Sequence, residues 1–265
     1  MMAALLCLFT ATTTPSGMEN ATPKQIVVIA HRGAHEHLPE NTVQAVRGAV
    51  AFGVDYVEVD IRQTRDGKFV NFHDGTVDRK TNGTGAVRDL TLAELLALDA
   101  GSYRGSEHAG ARIATADESF GILDSAGIGA YVDVKDAPAD SIVALLRRHG
   151  LVERSAIYGN PDLLAEIMSI EPTAVLMPEL PRDPTKLPVL VDRLRPAVIA
   201  ISNFERITEE NVAACHAAGA VVWVDIMARD TPEGWAHAIS CGVDGIQTDR
   251  PDALIDWLRE QGLRR

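Results

Sequence analysis

Cysteine, aromatic residues and long apolar runs are all scarce in this sequence. The three cysteines, Cys7, Cys215 and Cys241, match no zinc-ligand spacing and are too few for a disulfide scaffold. No run of about 18 apolar residues occurs, so we expect no transmembrane helix and no stable membrane insertion. These absences leave a chain that folds around an ordinary hydrophobic core.

Positive charge is scarce as well. The 25 Lys and Arg residues stand against 37 Asp and Glu residues, which gives a net charge of −12. A general nucleic-acid binder needs a basic surface, and an anionic membrane would repel this chain. The expected partner is therefore a small molecule, and the sequence leaves the oligomeric state open. The length of 265 residues suits one large α/β barrel or two small domains.

The first 23 residues differ from the rest of the chain. Residues 1–11 are mostly apolar and residues 12–23 are small, polar and proline-containing. The apolar stretch fits a signal peptide, but no Lys or Arg precedes it. Two interpretations stay open: an exported (periplasmic or extracellular) protein with a leader, or a cytoplasmic protein with a disordered or wrongly assigned start and Met18 as initiator. In both cases we expect one folded domain over residues 24–265.

Beyond the leader, short β-branched runs alternate with longer segments whose apolar residues are spaced by three and four. This alternation is typical of a parallel sheet with helices outside it. Strands are predicted at Gln25–Ala30, Val54–Ile61, Phe69–Phe72, Ile128–Val134, Ser155–Tyr158, Ala174–Pro178, Val198–Ile201, Val221–Ile226 and Val243–Thr248. Helices are predicted at Asn41–Phe52, Leu92–Leu98, Asp140–Arg148, Pro161–Ile170, Glu209–Ala218 and Asp252–Arg259.

Nine predicted strands are one too many for an eight-stranded barrel. The second and third are too close in sequence for a crossover helix, and Asp66-Gly67 between them is a typical hairpin turn. The third strand should therefore return antiparallel, which leaves eight parallel strands and predicts a (β/α)8 TIM barrel. Residues 75–127, after the His73 strand, are interpreted as a small cap insertion. A doubly wound open sheet is the structural alternative.

The hairpin also predicts a side-chain pairing. With a two-residue turn at Asp66-Gly67, Arg65 faces Lys68 and Asp60 faces His73. Side chains directly opposite each other in an antiparallel pair lie about 4.5–5.5 Å apart at Cβ. We therefore expect His73 to stand beside the carboxylate of Asp60.

Active sites of such barrels form at the carboxyl ends of the strands, where this chain carries several polar residues. Glu58 and Asp60 are two apart on one strand, so both side chains point to the same side. Any one of these residues alone has an ordinary structural explanation, such as an ion pair between Lys135 and Asp133. Together they predict a site. Its members are His31, Arg32, Glu58, Asp60, His73, Asp133 and Lys135, with Trp223, Asp225 and Asp249 on the last strands.

The charges of this set favour a phosphate ester bound with a hard cation. Glu58, Asp60 and Asp133 give −3, and the absence of a cysteine ligand suits Mg2+, Ca2+ or Mn2+ better than zinc. Arg32 and Lys135 give +2, so one divalent cation changes the site from −1 to +1, which attracts a phosphodiester anion. His31 and His73 suit general acid and base roles near neutral pH.

Several motifs in one order carry a family resemblance. They are Ala30-His31-Arg32-Gly33, Pro39-Glu40-Asn41-Thr42, Gly53-Val54-Asp55, Glu58-Val59-Asp60, Thr64-Arg65-Asp66-Gly67, His73-Asp74, Asp78-Arg79, Thr81-Asn82-Gly83-Thr84-Gly85 and Gly242-Val243-Asp244-Gly245-Ile246 with Thr248-Asp249. In this combination the chain resembles the glycerophosphodiester phosphodiesterases, densely over residues 26–135 and again over the last thirty residues.

The resemblance implies a TIM barrel that hydrolyses glycerophosphodiesters to an alcohol and sn-glycerol 3-phosphate. It implies His31 and His73 as the acid/base pair, and Glu58, Asp60 and the Asp133 carboxylate as ligands of one divalent cation, Mg2+ or Ca2+. Arg32 and Lys135 then contact the phosphate, and Trp223 lies in the substrate pocket. The nucleophile, either a glycerol hydroxyl that gives a cyclic phosphate or water directly, is left open.

The chain departs from the family pattern at three strand ends. Asp133 stands where the family usually has Glu, Trp223-Val224-Asp225-Ile226 replaces Trp-Thr-x-Asn, and Tyr158-Gly159-Asn160 replaces Ser-Phe. The last two changes affect the pocket expected for the leaving alcohol. Two other functions therefore stay open, a lysophospholipase D or cyclising phosphodiesterase on the same barrel, and a barrel that binds phosphodiesters without turnover.

Overall fold

The structure, a computed structural model, describes residues 25–264, so the possible leader at residues 1–23 lies outside the described part of the chain. The strands in this part are β1 Val27–Ala30, β2 Tyr56–Gln63, β3 Phe69–Asn71, β4 Ala114–Thr115, β5 Gly129–Val134, β6 Ser155–Tyr158, β7 Val175–Met177, β8 Val198–Ile201, β9 Val221–Asp225 and β10 Gly245–Thr248. The β-branched runs identified in the sequence form nine of these strands. The short β4 was not predicted.

Eight parallel strands form a nearly closed barrel in the order β7-β6-β5-β2-β1-β10-β9-β8. The two ends of this order meet through the segment after β7, where Leu180 N–H donates to the Ala200 carbonyl (2.8 Å) and Ala200 N–H donates to the Pro178 carbonyl (3.0 Å). The predicted (β/α)8 barrel is therefore confirmed, and the open doubly wound sheet is excluded.

Helices alternate with the barrel strands and begin at side-chain caps that are readable in the sequence. Thr42 accepts a hydrogen bond from Ala45 N–H, and Asn160 accepts from Asp162 N–H and Leu163 N–H directly before Pro161. The helices are α1 Val43–Phe52, α2 Leu92–Leu96, α3 Ala116–Ala126, α4 Ala139–Arg148, α5 Pro161–Ile170, α6 Leu187–Leu194, α7 Glu209–Ala217, α8 Pro232–Ser240 and α9 Pro251–Glu260. Of these, α3, α6 and α8 were not predicted.

The β2–β3 hairpin is antiparallel as expected, but its predicted register is wrong by one residue. Arg62 pairs with Val70, so the turn holds three residues and Thr64, not Arg65, faces Lys68. Thr64 Oγ1 accepts from Lys68 N–H and donates to Asp66 Oδ1, and Gly67 takes a left-handed φ of 71°. This is the geometry of a three-residue loop with its glycine in the left-handed region.

The corrected register changes the neighbour of the Asp60 backbone. Phe72 N–H donates to the Asp60 carbonyl at 2.9 Å, so Phe72 and not His73 is opposite Asp60. The predicted pairing of Asp60 with His73 across the strands is therefore wrong. His73 lies one residue beyond the strand pairing, and its position depends on other contacts described below.

Residues 75–127, which the sequence analysis assigned to a cap, fall into two structural parts. The first packs on β3 around a small apolar cluster of Val70, Phe72, Val77, Val87, Leu95, Ala100 and Ile113. The second is α3, whose buried Phe120 and Leu123 belong to the main core between strands and helices. None of the helices within residues 25–264 has the length and apolar character that a bilayer crossing requires.

Candidate active site

A cavity of about 320 Å³ opens at the carboxyl ends of the barrel strands. This is the end at which barrel enzymes place their active sites. Most of the residues predicted as site members line it: His31, Arg32, Glu58, His73, Asp133, Lys135, Trp223 and Asp225. Asp60 is fully buried directly behind this lining.

His31 follows the last residue of β1 and is held between two carboxylates. Its Nδ1 lies 2.5 Å from Asp249 Oδ1, and its Nε2 lies 3.6 Å from Glu58 Oε2. Burial lowers the pKa of this imidazole, but the Glu58 charge and the hydrogen bond to Asp249 outweigh it, so the pKa of His31 is raised. Because Asp249 occupies Nδ1, Nε2 is the nitrogen that His31 presents to the cavity.

Arg32 and Gly33 form a tight turn directly after His31, at the edge of the cavity. Arg32 has a left-handed φ of 53°, and its N–H donates to Glu58 Oε2 at 3.0 Å. Gly33 has a φ of 83°, and a Cβ there would lie 2.6 Å from the carbonyl carbon of Ala45 in α1. Only glycine allows this close approach of the turn to α1.

Three carboxylates converge below the Arg32 turn. Glu58 and Asp60 on β2 and Asp133 on β5 each offer an oxygen within 4.8 Å of the others. β2 and β5 are paired with Asp60 opposite Asp133, which brings the three groups together. Asp60 Oδ2 accepts a hydrogen bond from Asn41 Nδ2 (2.8 Å), and its buried Oδ1 lies 3.1 Å from Lys135 Nζ.

The electrostatics of these carboxylates favour a cation. Burial, and after it the Asp60 charge, hold the pKa of Glu58 well above its usual range. Burial likewise raises the pKa of Asp133, although Lys135 opposes the effect. Buried acids that converge and repel each other fit a bound divalent cation with oxygen ligands.

Lys135 lies beside the same group. Its Nζ is 2.6 Å from Asp133 Oδ2 and 3.1 Å from Asp60 Oδ1, and its side chain is 18% exposed, so the ammonium can still meet a ligand in the cavity. The sequence allowed two interpretations of Lys135, as an ion-pair partner of Asp133 and as a phosphate contact. These two interpretations are therefore compatible.

His73 is positioned by an arginine rather than by the β2–β3 ladder. Arg62 Nε and Nη2 both donate to the His73 carbonyl, at 3.0 and 2.7 Å. The His73 Nδ1 lies 2.9 Å from Asp74 Oδ1, and Asp74 also accepts two hydrogen bonds from Arg79. The hydrogen bonds from Arg79, and then that from His73, hold the pKa of Asp74 far below its usual range despite partial burial.

The sequence analysis missed several supporting residues. Glu40 bonds Arg32 Nη1 at 3.0 Å and Lys80 Nζ at 2.7 Å, and so fixes the guanidinium. Asn41, with a left-handed φ of 57°, is nearly fully buried and holds Asp60. His35 Nε2 shares Asp249 Oδ1 with His31, at 2.8 Å. The Pro39-Glu40-Asn41-Thr42 motif was the available signal for the first two.

The opposite wall of the cavity has a different composition. Tyr131, Tyr158 and Trp223 contribute rings, and Asp225 contributes a carboxylate. Burial raises the pKa of Asp225 to about 6, although its hydrogen bond from Met227 N–H opposes the shift. The cavity therefore has a polar, charged side on β1, β2 and β5 and an aromatic, acidic side on β5, β6 and β9.

Comparison with known proteins places this arrangement in one family. The model of the glycerophosphoryl diester phosphodiesterase family matches residues 31–253. A glycerophosphodiester phosphodiesterase of Caldanaerobacter subterraneus subsp. tengcongensis is 32% identical over 247 residues, which cover 89% of this chain and 99% of the relative. One from Bacillus subtilis is 26% identical, with 87% of this chain and 86% of the relative covered.

Solved structures show the same likeness. A glycerophosphodiester phosphodiesterase from Agrobacterium tumefaciens superposes with a TM-score of 0.77 at 30% identity and covers 86% of this chain and 97% of its own. An Oleispira antarctica phosphodiesterase, solved in complex with the product sn-glycerol 3-phosphate, superposes with a TM-score of 0.80 at 25% identity, covering 89% and 97%.

Proposed function

Since the chain belongs to the glycerophosphoryl diester phosphodiesterase family, we propose that it hydrolyses glycerophosphodiesters to an alcohol and sn-glycerol 3-phosphate. One observation carries this proposal. Two imidazoles, an arginine, a lysine and three carboxylates, all predicted from the sequence, line or directly underlie one cavity at the carboxyl ends of the strands. This is the set of groups that a phosphodiester needs for binding and for two proton transfers.

Glu58, Asp60 and Asp133 are the residues that would hold a divalent cation, Mg2+ or Ca2+. The convergence of their oxygens within 4.8 Å of one another and the raised pKa of Glu58 support this assignment. When bound, such a cation supplies charge that polarises a phosphoryl oxygen. Asp133 stands where the family resemblance implies Glu, so the third of these carboxylates is one methylene shorter.

Arg32 and Lys135 would bind the phosphate oxygens. The Arg32 guanidinium is oriented by Glu40, and Lys135 by Asp133, so both cations enter the reaction already in place. Pre-oriented charges of this kind stabilise the negative charge that develops on the phosphoryl oxygens without reorganisation during the reaction.

His31 and His73 would carry the protons. Each has Nδ1 engaged by a carboxylate, Asp249 or Asp74, so each offers Nε2 for proton transfer. One imidazole removes the proton from the attacking hydroxyl, and the other gives a proton to the oxygen of the departing alcohol as its bond to phosphorus breaks. The net reaction consumes one water, whether water attacks directly or opens a cyclic phosphate formed first.

The direct test is the release of glycerol 3-phosphate from a panel of glycerophosphodiesters, with and without Mg2+ or Ca2+. His31→Ala and His73→Ala should each lower kcat about 10²–10⁴-fold, the usual contribution of general acid–base catalysis. His37→Ala is the matched control, because its half-exposed imidazole belongs to the same loop as His31 but pairs with Asp252.

The outcomes separate the alternatives. A cyclic phosphate that persists in phosphorus NMR supports a cyclising enzyme, and turnover of lysophospholipids alone supports a lysophospholipase D. Ligand binding without any product supports a non-catalytic barrel. Full activity of either histidine variant contradicts the proposed roles of His31 and His73.

A further inference from the structure

We propose that the aromatic, acidic wall of the cavity is a subsite for a positively charged amino-alcohol headgroup, such as choline or ethanolamine, and makes the enzyme selective for zwitterionic glycerophosphodiesters. This inference rests on the proposed function, because it assigns the leaving group of that reaction. Its residues are Tyr131, Tyr158, Trp223, Asp225 and Glu179.

The first support is the arrangement of the rings. Tyr131 and Tyr158 lie with ring centroids 6.0 Å apart and planes tilted by 30°, and both line the cavity. Trp223 lines it as well, with its indole packed over the Cα of Gly245, where no Cβ intervenes. Electron-rich ring faces around a cavity attract ammonium groups, quaternary ammonium above all.

The second support is a buried carboxylate without an ion pair. Asp225 accepts a hydrogen bond from Met227 N–H at 3.1 Å and forms no ion pair within residues 25–264. A nearby second carboxylate, Glu179, accepts from Ser202 N–H at 3.1 Å, bonds the Tyr158 side chain and is attracted by the Arg206 charge. A buried carboxylate without a cationic partner is costly, so a ligand cation would stabilise Asp225.

The third support is the order of the groups across the cavity. Tyr158 pairs with Asp133 across β5 and β6, which places this ring next to the carboxylates proposed to bind the metal. Tyr158, Asp133 and Asp225 line the same cavity. A phosphate beside Asp133 therefore leaves its headgroup over the tyrosines, facing Asp225.

The cavity as a whole matches a zwitterion. Every basic side chain that lines it lies on the phosphate side: His31, Arg32, His73 and Lys135. The rest of the lining offers rings, the Asp225 carboxylate, two neutral polar side chains (Ser202 and Gln247) and apolar groups. A neutral headgroup gains less from this wall, and an anionic headgroup is repelled by it.

The experiment compares kcat/KM for glycerophosphocholine and glycerophosphoethanolamine with that for glycerophosphoglycerol and glycerophosphoinositol. The quantity measured is the selectivity ratio of cationic to neutral headgroups. We expect a ratio of about ten or more in the wild-type protein, because a desolvated cation–π contact and a carboxylate each favour the cation. Asp225→Asn should bring the ratio close to one.

A second pair of variants tests the rings. Tyr158→Leu should lower the ratio several-fold, whereas Tyr158→Phe keeps the ring face and should retain it. Asp192→Asn is the charge control, because it removes an exposed carboxylate of α6, far from the cavity lining. A wild-type ratio near one, or an unchanged ratio in both Asp225→Asn and Tyr158→Leu, overturns the proposal. If Asp225→Asn lowers kcat/KM equally for all four substrates, the proposal is also overturned, because this wall then binds the glycerol moiety that all four share.

Binding of free choline, followed by saturation-transfer NMR, separates this inference from the proposed function. The protein could bind choline, lose this binding in Asp225→Asn, and release no glycerol 3-phosphate from any substrate. This result refutes the hydrolase and retains the subsite. Turnover of all substrates without headgroup preference, and without choline binding, retains the hydrolase and refutes the subsite.

Discussion

His31 Nδ1 lies 2.5 Å from Asp249 Oδ1, a contact that joins the first and the last strand of the barrel. β1 and β10 are paired from Val27 to Ala30, and both side chains project directly beyond this ladder. Asp249 is itself fixed, since its N–H donates to Asp230 Oδ2 at 2.7 Å. The carboxylate therefore sets the orientation and tautomer of the imidazole, and we assign Asp249 as a positioning residue for His31.

Replacing Asp249 by Asn should show whether this residue positions His31 or binds the substrate. An amide can turn its NH2 towards Nδ1 and favour the wrong tautomer, so kcat should fall about 10²-fold or more while KM changes little. The tautomer of His31, read from its imidazole nitrogen chemical shifts, should change with it. His35→Gln is the companion variant, since His35 touches the same oxygen without lining the central cavity. Equal effects of both variants on kcat would argue against a specific role of Asp249.

Metal removal should abolish activity, and added Mg2+ or Ca2+ should restore it. Asp133→Asn takes away one of three anionic ligands, so the concentration of cation needed for half-maximal activity should rise at least about tenfold. A stabilising shift in Tm on cation addition provides a measurement independent of turnover and should shrink in the variant. Asp256→Asn, an exposed carboxylate on α9, is the control. Asp133→Glu should retain cation binding; activity that chelators leave intact would contradict the assignment.

Gly33→Ala should lower both stability and activity. Its methyl group would lie 2.6 Å from a backbone atom of Ala45, at a φ of 83°, and should destabilise the protein by about 2 kcal/mol or more. The same shift displaces Arg32, so kcat/KM should also fall. Gly121→Ala, in the middle of α3, places its methyl group no nearer than 3.9 Å to another group, His149 Cε1, and should be neutral or stabilise by about 0.5–1 kcal/mol. Denaturant unfolding with both variants measures the difference, and equal stability would refute the steric argument.

Glu118 gives a pH dependence of stability that is unrelated to catalysis. Hydrogen bonds from Arg112, aided by Thr115 N–H at the start of α3, lower the pKa of Glu118 to about 2 against partial burial. Because the folded-state pKa lies below the ordinary value of 4.5, the stabilisation is complete above pH 4.5 and is lost as the pH falls towards 2.

Glu118→Gln should therefore lower the free energy of unfolding at pH 7 by roughly 0.5–1 kcal/mol, since the ion pair is partly exposed. The difference from wild type should disappear near pH 2. Thermal unfolding across this range is the measurement, and a difference that is constant with pH would contradict the explanation.

The sequence predicted the fold well where capping and strand signals were local. Pro161–Ile170 matches α5 end to end, because Asn160 caps it and Pro161 fits the first turn. The helices α6 and α8 were missed although each has a proline near its start, since their apolar spacing is short. The hairpin register was missed because Thr64 closes a longer turn than Asp66-Gly67 alone indicates.

The site was predictable as a set but not as a geometry. The alternation of side chains along β2 correctly grouped Glu58 with Asp60, because residues two apart in a strand point to the same side whatever the rest of the fold does. The hydrogen bonds from Asn41 to Asp60 and from Arg32 N–H to Glu58 depend on left-handed backbone conformations at Asn41 and Arg32. The identity of these residues does not reveal such conformations. The pairing of His31 with Asp249 links residues 218 positions apart, and only barrel closure brings them together.

The contact between Arg62 and the His73 carbonyl has a consequence for the spacing of the two imidazoles. His31 is fixed to the wall of the barrel, whereas His73 lies past the end of a three-residue strand outside it, anchored by one guanidinium that also bonds Asp136 after β5. Two contacts thus set the distance between the imidazoles, the bond from Arg62 to the His73 carbonyl and the bond between the His73 ring and Asp74. Because Arg79 of the cap segment holds Asp74, a change in that segment reaches the second imidazole through this carboxylate.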